Sequence, residues 1–555
     1  MVVVCLVFLT VLGMGMLTVS WGARHKAIRF KNEAAAMLAA EAGYEKAVYW
    51  MSRQQDVLNS LYKGVAGTSG AIPFPDADCE YQIKLFTFVG YRPVYSVIST
   101  GHSGVFNRTV DVKVIQAISG WAMGMCRVPD SASTTRPVYF ADGEIIDIPI
   151  QINKLPLSIE GTDERDIYIQ GSPKFLQVVG MGESRYAGGT DKYASVMGLF
   201  EGGIYFNQPD CKITDEATIQ SKVDRFKNST KAEFQFKPVA SSDPNIKNPQ
   251  AAVQLEFFVE DGVGKVRITN NCTVRGFWPS STPYDYKITP GTGGTQFERY
   301  YLYGYHVMPE NADSTGERFV CPIEQTYVTQ SIGGVESDPG GQIFVDGNVI
   351  IGSGDTDLLE QDKVKGAITI VATGNIWIAD STVVDGTHNA DGTPSQDNPN
   401  VLGLVVQGVV KVVDPGMTDP DYGNIDPANP PPGYEYVPVG RPDNPSTKKG
   451  DEDYHKRYLP DPTVVEAAIT VGGGGWGAEN VAGRKEFNSP QDYLVVRGTI
   501  TEAFRGVVGV IGQDGYLKRY YMDERLLEGI LPGDIWLRGK YIPAPAGWHD
   551  YRGSD

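Results

Sequence analysis

Charge is missing from the start of this chain. Residues 1–23, MVVVCLVFLTVLGMGMLTVSWGA, hold no Asp, Glu, Lys or Arg. A basic surplus is missing overall: 49 Lys and Arg stand against 67 Asp and Glu, for a net charge of −18. A nucleic-acid partner reached through a basic face is therefore not expected. Motifs that carry chemistry are also scarce. The six histidines, His25, His102, His306, His388, His455 and His549, include no HxxxH pair, which removes the zinc-protease motif. There is no GxSxG elbow and no Walker loop. GGGGWG at 472–477 lacks the Lys-Ser/Thr that would make it a phosphate cradle and reads as a flexible turn. A polysaccharide-cleaving β-helix would gather carboxylates and bases on one groove, and no such cluster recurs here. Neither a catalytic residue nor a bound cofactor is expected.

Cysteine is sparse. None of Cys5, Cys79, Cys126, Cys211, Cys272 and Cys321 sits in a CxxC, so a zinc ribbon or a thioredoxin site is absent. Cys5 lies in the apolar run. The other five allow one or two disulfides in an oxidising compartment or, equally, buried thiols.

Turn formers are plentiful instead. Gly 64 and Pro 35 in 555 residues, with Tyr 29 and Phe 21, point to many short strands and a mainly β chain of more than one domain. The exception is the N-terminus. At about 1.5 Å per residue the 23 uncharged residues make roughly 35 Å of helix, enough to span a bilayer core. After Arg24, His25, Lys26, Arg29 and Lys31 the helical pattern continues as NEAAAMLAAEAGYEKAVYWMSRQQDVLNSLYKG. Leu38, Ala42, Glu45, Tyr49 and Ser52 share one face. Ala36, Ala40, Gly43, Ala47, Trp50 and Met51 share another, a small-residue stripe suited to close packing. Gly64 is the expected C-cap, so one helix of about sixty residues is predicted over 1–63.

An apolar start followed by AAAMLAAEAGYEKAVYWM (34–51) resembles type IV pilin-like proteins of the PilX class over about fifty residues. The resemblance implies a helix that rests in the inner membrane and then packs against copies of itself, or other pilins, in a filament core. On that basis Cys5, Leu9, Leu12 and Met16, with Ala36, Ala40, Gly43, Ala47 and Trp50, are the expected core contacts. The chain departs from the family in one place: Cys5 stands where mature pilins commonly carry Glu.

Residues 79–117 read as three antiparallel strands, CEYQIKLFTFVG, RPVYSVISTGHSG and FNRTVDVKVIQ, with Gly101 and Gly104 at a turn. Such a meander, within a small pilin-like sheet unit over 64–125, would cover the distal half of the helix. Beyond 126 short apolar segments recur around a glycine: IYIQG (167–171), IFVDGNVII (343–351), IVATGNIWI (370–378), LVVQGVVKV (404–412) and LVVRGTI (494–500). Gly347, Gly374 and Gly408 are spaced irregularly, as in coils of a β-solenoid with loop insertions. A multi-sheet β sandwich is the competing reading. Residues 126–340 are expected to be a β region with insertions, holding strands such as AEFQFKPV (232–239) and AVQLEFFVE (252–260). Residues 341–555 are expected to be solenoid-like, interrupted by a Pro-rich loop at 414–462. The end of the chain, YLVVRGTITEAFRGVVGV (493–510) and GYLKRYYMDERL (515–526) with Trp548, resembles the DUF4900 domain. Tyr520, Asp523, Arg525 and Leu526 carry its Y-x-x-D-x-RL signature, which brings no known active site.

Acidic loops leave one question open. Asp355 and Asp357, then Asp385, Asn389 and Asp391, then Asp414, Asp419, Asp421 and Asp426 could offer Ca²⁺ its oxygens or could cap their own turns; none fits an EF-hand. The expected function is therefore structural: a subunit of an extracellular type IV pilus-like filament at the cell surface, inserted in the inner membrane before assembly. The alternatives are a low-copy tip subunit acting as an adhesin, and a membrane-anchored surface protein that does not polymerise.

Overall fold

A computed structural model of the chain describes residues 1–54, 56–64, 67–116, 123–125, 130–131, 134–135, 138–152, 167–169, 171–182, 194–208, 216–239, 249–275, 286–288, 295–297, 305–306, 318–352, 362–412, 462–472, 475–478, 493–502, 506, 508–510, 514–528, 531–534 and 541–552. The chain is mainly β with one long N-terminal helix.

That helix, α1, spans Val2–Arg53. It stops short of the sixty residues expected. Gln54 turns to extended backbone, and a second helix, α2 (Val57–Tyr62), starts after Asp56. The Asp56 carboxylate accepts from the Asn59 backbone N–H at 3.1 Å, an N-cap that ends one helix by beginning another. Gly64, at φ 73°, closes α2 and donates its N–H to Leu61 O.

The strands Ala77–Val89, Arg92–Ser103 and Phe106–Gln116 form the antiparallel meander the alternation predicted. Arg92–Ser103 runs against the direction of α1. Its Gly101 backs onto Ala36 and Ala40, while Ser99 backs onto Gly43. Tyr44, Ala47 and Met51 bury themselves against Tyr95, Val97, Val110, Val112 and Val114. The edge of this sheet is closed by Tyr541–Arg552, which pairs with Phe106–Gln116. The last strand of the chain therefore belongs to the first unit and not to the solenoid-like region where 341–555 placed it.

The rest is built on three parallel ladders. In the first, Gly340–Val345, Ala367–Ala372, Val401–Val406, Ala468–Val471 and the end of Tyr493–Glu502 stack in sequence order. Asn348–Ile351, Ile376–Ile378, Val410–Val412 and Trp476–Ala478 make a second. Asp362–Val364, Thr382–Val384, Thr463–Val465, the start of Tyr493–Glu502 and Leu517–Met522 make the third. Each coil gives a strand to the ladders in turn. The corner between the first two ladders is where the spaced glycines fall. Gly374 N–H donates to Gly347 O at 2.8 Å, and Gly408 N–H to Gly374 O at 2.8 Å. A Cβ on Gly374 or Gly408 would strike the carbonyl of the glycine below, so the corner admits only glycine.

The stack does not end at Leu517–Met522. Met123–Met125 pairs in parallel with Ile500–Glu502, and Ile145–Asp147 with Arg519–Tyr521. Ile150–Ile152, Val179–Met181 and Ile204–Tyr205 then continue the first ladder. Early coils thus sit on late ones, and the two expected β regions share one core. The far end carries the antiparallel pair Pro249–Glu260 and Val263–Arg275. Its Asp261-Gly262 turn, at φ 53° and 76°, is the left-handed pair that a two-residue hairpin needs. Two readings of this part are corrected. Glu216–Ser229 is a helix, α3, inside what was read as strands. Of 232–239, Ala232–Phe234 is a 3₁₀ turn and only Gln235–Phe236 is strand.

Candidate functional site: the exposed apolar helix

From Met1 to Lys31 every residue of α1 is exposed. Among the described residues this is the one helix long and apolar enough to cross a membrane, and none of its apolar window is buried. The backbone is satisfied internally. The Thr10 and Thr18 hydroxyls donate to Leu6 O and Met14 O, at 2.7 and 2.8 Å, so neither needs an outside partner. Such a segment is at home in lipid or against other helices, where backbone polar groups must be paired locally. Leu12, Gly15, Met16, Val19 and Ser20 line a shallow apolar groove along it.

Cys5, Leu9, Leu12 and Met16 all lie on this free segment. The distal half differs. Ala36, Ala40, Gly43 and Ala47 are buried under the chain's own sheet, and Trp50 is partly buried against the same core. Their expected place at a contact between subunits is therefore corrected. A stripe of small residues fits a close neighbour, and here the neighbour is the strand Arg92–Ser103. The face left open carries Leu38 and Tyr49, both more than three-fifths exposed.

The helix is tied to the coil stack at its distal end. Arg225 of α3 donates from Nε to Asp56 Oδ2 at 2.8 Å, and from Nη1 to Gly533 O at 3.0 Å and Gln330 Oε1 at 3.2 Å. Both ionic side chains are almost fully buried. Burial by itself would raise the Asp56 carboxyl; Arg225, Lys222 and its hydrogen bonds outweigh that and hold it down at about 2. Sequence reading missed this hub, because its two charges lie 169 residues apart. Close by, the Tyr91 hydroxyl donates to Pro339 O at 2.9 Å; burial and its neighbours Tyr327 and Asp338 push the phenol up.

The Y-x-x-D-x-RL residues have structural work. Tyr520 is buried, with its hydroxyl 3.1 Å from the indole N–H of Trp476. Arg525 pairs with Asp523 at 2.7 Å and donates to the carbonyls of Asn398 and Asn400, latching the loop that follows Val384. Leu526 packs on Val401, Ala468 and Leu531. In that loop Asp391 Oδ1 accepts from the Thr393 N–H and hydroxyl, and Asp385 faces Lys365 at 3.6 Å. Asp391 is thus engaged in turn chemistry. Among the described residues no group of three or more His, Cys, Asp or Glu is placed to hold a metal ion. Asp355, Asp357, Asp414, Asp419, Asp421 and Asp426 lie outside the described residues, as does the Pro-rich 414–462 apart from Pro462. Cys5, Cys79, Cys272 and Cys321 are free thiols; Cys126 and Cys211 are outside the described residues. Burial pushes the Cys321 thiol up to about 11, which makes it inert at neutral pH.

No protein-family model matches the chain, and no curated protein does. Among solved structures it is similar to the competence-associated pilin ComZ from Thermus thermophilus, at 12% sequence identity and a TM-score of 0.25, with 94% of this chain and 98% of that chain covered. A likeness at that level carries no weight in assigning a role.

Proposed function

We propose that the chain is a structural subunit of an extracellular type IV pilus-like filament. In this reading it waits in the inner membrane with residues 1–23 across the bilayer. It then packs that segment against copies of itself, or other pilins, and carries its β regions on the outside at the cell surface. The observation that supports this is a continuous helix whose first 31 residues are all exposed, the apolar 1–23 among them, while its distal half is clasped by a sheet. An apolar helix leaving lipid must rebury its side chains; at roughly 25 cal/mol per Å² the alternative costs tens of kcal/mol. The acidic exterior keeps such assemblies soluble. The role needs no catalytic group and no cofactor. The PilX-class and DUF4900-like resemblances belong to this proposal and rest on the sequence segments quoted for them.

Shearing filaments from cells and sequencing this chain by N-terminal mass spectrometry tests it. Abundant, processed chain in the sheared fraction supports a shaft subunit. Processed chain at trace level supports a tip subunit or adhesin, a second reading favoured by the bulk of the coil stack hung on each helix. Unprocessed chain found only in membranes would sink the filament reading and leave an anchored surface protein.

A further inference from the structure

We propose that helix residues 24–31, with the turn at Gly104–Val105, form a binding surface for the phosphate headgroups of an anionic lipid bilayer. The inference rests on the membrane-insertion half of the reading above.

Four cations, Arg24, Lys26, Arg29 and Lys31, and His25 follow the apolar stretch, and the first carboxylate beyond them is Glu33. At about 100° per residue Arg24 and Lys31 fall on one side of the helix and Lys26 and Arg29 on the opposite side, so headgroups reach them from two sides. All are exposed. Among the described residues Arg24 and Lys26 have no ion-pair partner. Lys31 meets Asp76 at 2.9 Å, but both side chains are about two-thirds exposed, so the pair is weak and exchangeable. Trp21 ends the apolar stretch, its ring stacked on His25 with centroids 5.8 Å apart, as suits a side chain at the water–lipid boundary.

The sheet starts at this collar. Arg29 lies over the Phe106 ring at 5.6 Å, and Gly104 opens toward Asn32. From Ala23 to Arg29 the helix rises about 9 Å, against a headgroup layer of roughly 5–8 Å on each side of a bilayer. The turn therefore meets the membrane surface while the apolar stretch fills the core. Its tip is Val105, an apolar side chain 88% exposed. The charge balance favours such a contact. A chain of net charge −18 is repelled by an anionic surface, and only cations within a Debye length, about 8–10 Å, offset that repulsion. Each basic residue at such a surface multiplies binding by roughly fivefold.

The test is to reconstitute the full chain in vesicles of phosphatidylcholine, alone or mixed with phosphatidylglycerol. Insertion is read by resistance to alkaline carbonate. Retained lipid is read by native mass spectrometry after mild solubilisation. Wild type is expected to resist carbonate in both vesicles and to retain phosphatidylglycerol selectively. R24Q/K26Q/R29Q/K31Q is expected to resist carbonate equally but to lose its selective retention of phosphatidylglycerol, since four fivefold losses compound to about 600-fold. V105D, at a turn where no core is disturbed, is expected to lower retention as well. K46Q/R53Q, removing charge from the other end of the helix, is expected to match wild type. Undiminished retention by the collar variant overturns the proposal. So does an equal loss in K46Q/R53Q, which would report net charge alone. Displacement of the lipid by inorganic phosphate at matched ionic strength also overturns it, by marking a free-anion site. Extraction of wild type by carbonate sinks the membrane reading, and this proposal with it.

Discussion

Asp56 does two jobs with one carboxylate: it caps α2 and neutralises a buried arginine. Removing it leaves Arg225 buried without a counter-charge, so D56A is expected to cost about 3–5 kcal/mol in urea unfolding. The sign of its pH dependence follows from its lowered folded-state value, about 2 against an ordinary 3.8. The carboxylate contributes stability that is present above the ordinary value and lost as pH falls toward 2, about 2 kcal/mol in all. Wild type should therefore show an acid limb between roughly pH 5 and 2 that D56A lacks. Asp362 has the opposite sign. Burial first, then Asp380 and Glu256, push its carboxyl well above the ordinary range, and its Oδ2 has no hydrogen-bond partner. A raised value means stability that is full below the unfolded-state value and lost as pH rises through the folded one. D362N removes the titration while keeping the shape. Its melting temperature is expected to exceed wild type at neutral pH, with the gap closing toward pH 4; an unchanged gap would refute the ionisation account.

At the scale of elements, the close approach of α1 to the strand Arg92–Ser103 is set by two glycines. A Cβ on Gly101 would run into the Ala36 carbonyl and the Ala40 nitrogen, and one on Gly43 into Ser99 and Cys79. Backbone cannot step aside as a side-chain tip can. G101V is thus expected to destabilise the sheet unit by about 3 kcal/mol or more, read as earlier loss of tyrosine near-UV signal. On the opposite face, L38D should leave unfolding unchanged within about 0.5 kcal/mol yet block co-sedimentation of assembled copies. Local pattern made these elements legible. Period-2 alternation at Val110, Val112 and Val114 gave the strand, and the split between the Leu38 and Ala40 faces gave the orientation of the helix. What covers the Ala40 face was not legible, because a small-residue stripe suits a strand as well as a second helix. Nor was the break at Gln54, because the Asp56 cap on Asn59 lay inside a run that reads as continuous helix. The glycine corners were visible as spacing; the asparagines beside them were not. Asn348 accepts from Asn375 N–H at 2.8 Å, and Asn375 in turn from Val409 N–H at 3.1 Å, and the Gly-Asn pairs at 347–348 and 374–375 were the available signal.

For the whole molecule the decisive contact is the seam where early coils meet late ones. The first and third ladders cross it in parallel, and an ion pair sits at the join: Lys518 Nζ to Glu144 Oε1, 2.7 Å, both side chains buried, 374 residues apart. Lys518 also lies over the Phe140 ring at 5.2 Å. No local pattern encodes such a pairing, which is why 126–340 and 341–555 read as separate regions. The same distance makes the seam a late event in folding, since loop-closure entropy must be met before the contact returns anything. Coils 340–502 can stack on nearest neighbours alone. The coils at 123–205 must then find their end. Leaving one member of the pair unmatched should open the seam. E144A is expected to lose about 3–5 kcal/mol, while E144Q/K518M, which removes both charges and keeps an acceptor for the Ala141 and Lys518 N–H groups, should regain most of it. If the seam is the last structure to close, E144A will raise the unfolding rate and leave the main refolding phase nearly unchanged. Stopped-flow refolding followed by the buried Trp377 and Trp476 would read both limbs. A refolding phase slowed in proportion to the lost stability would instead place the seam in the nucleus, with the coils growing outward from the middle of the stack.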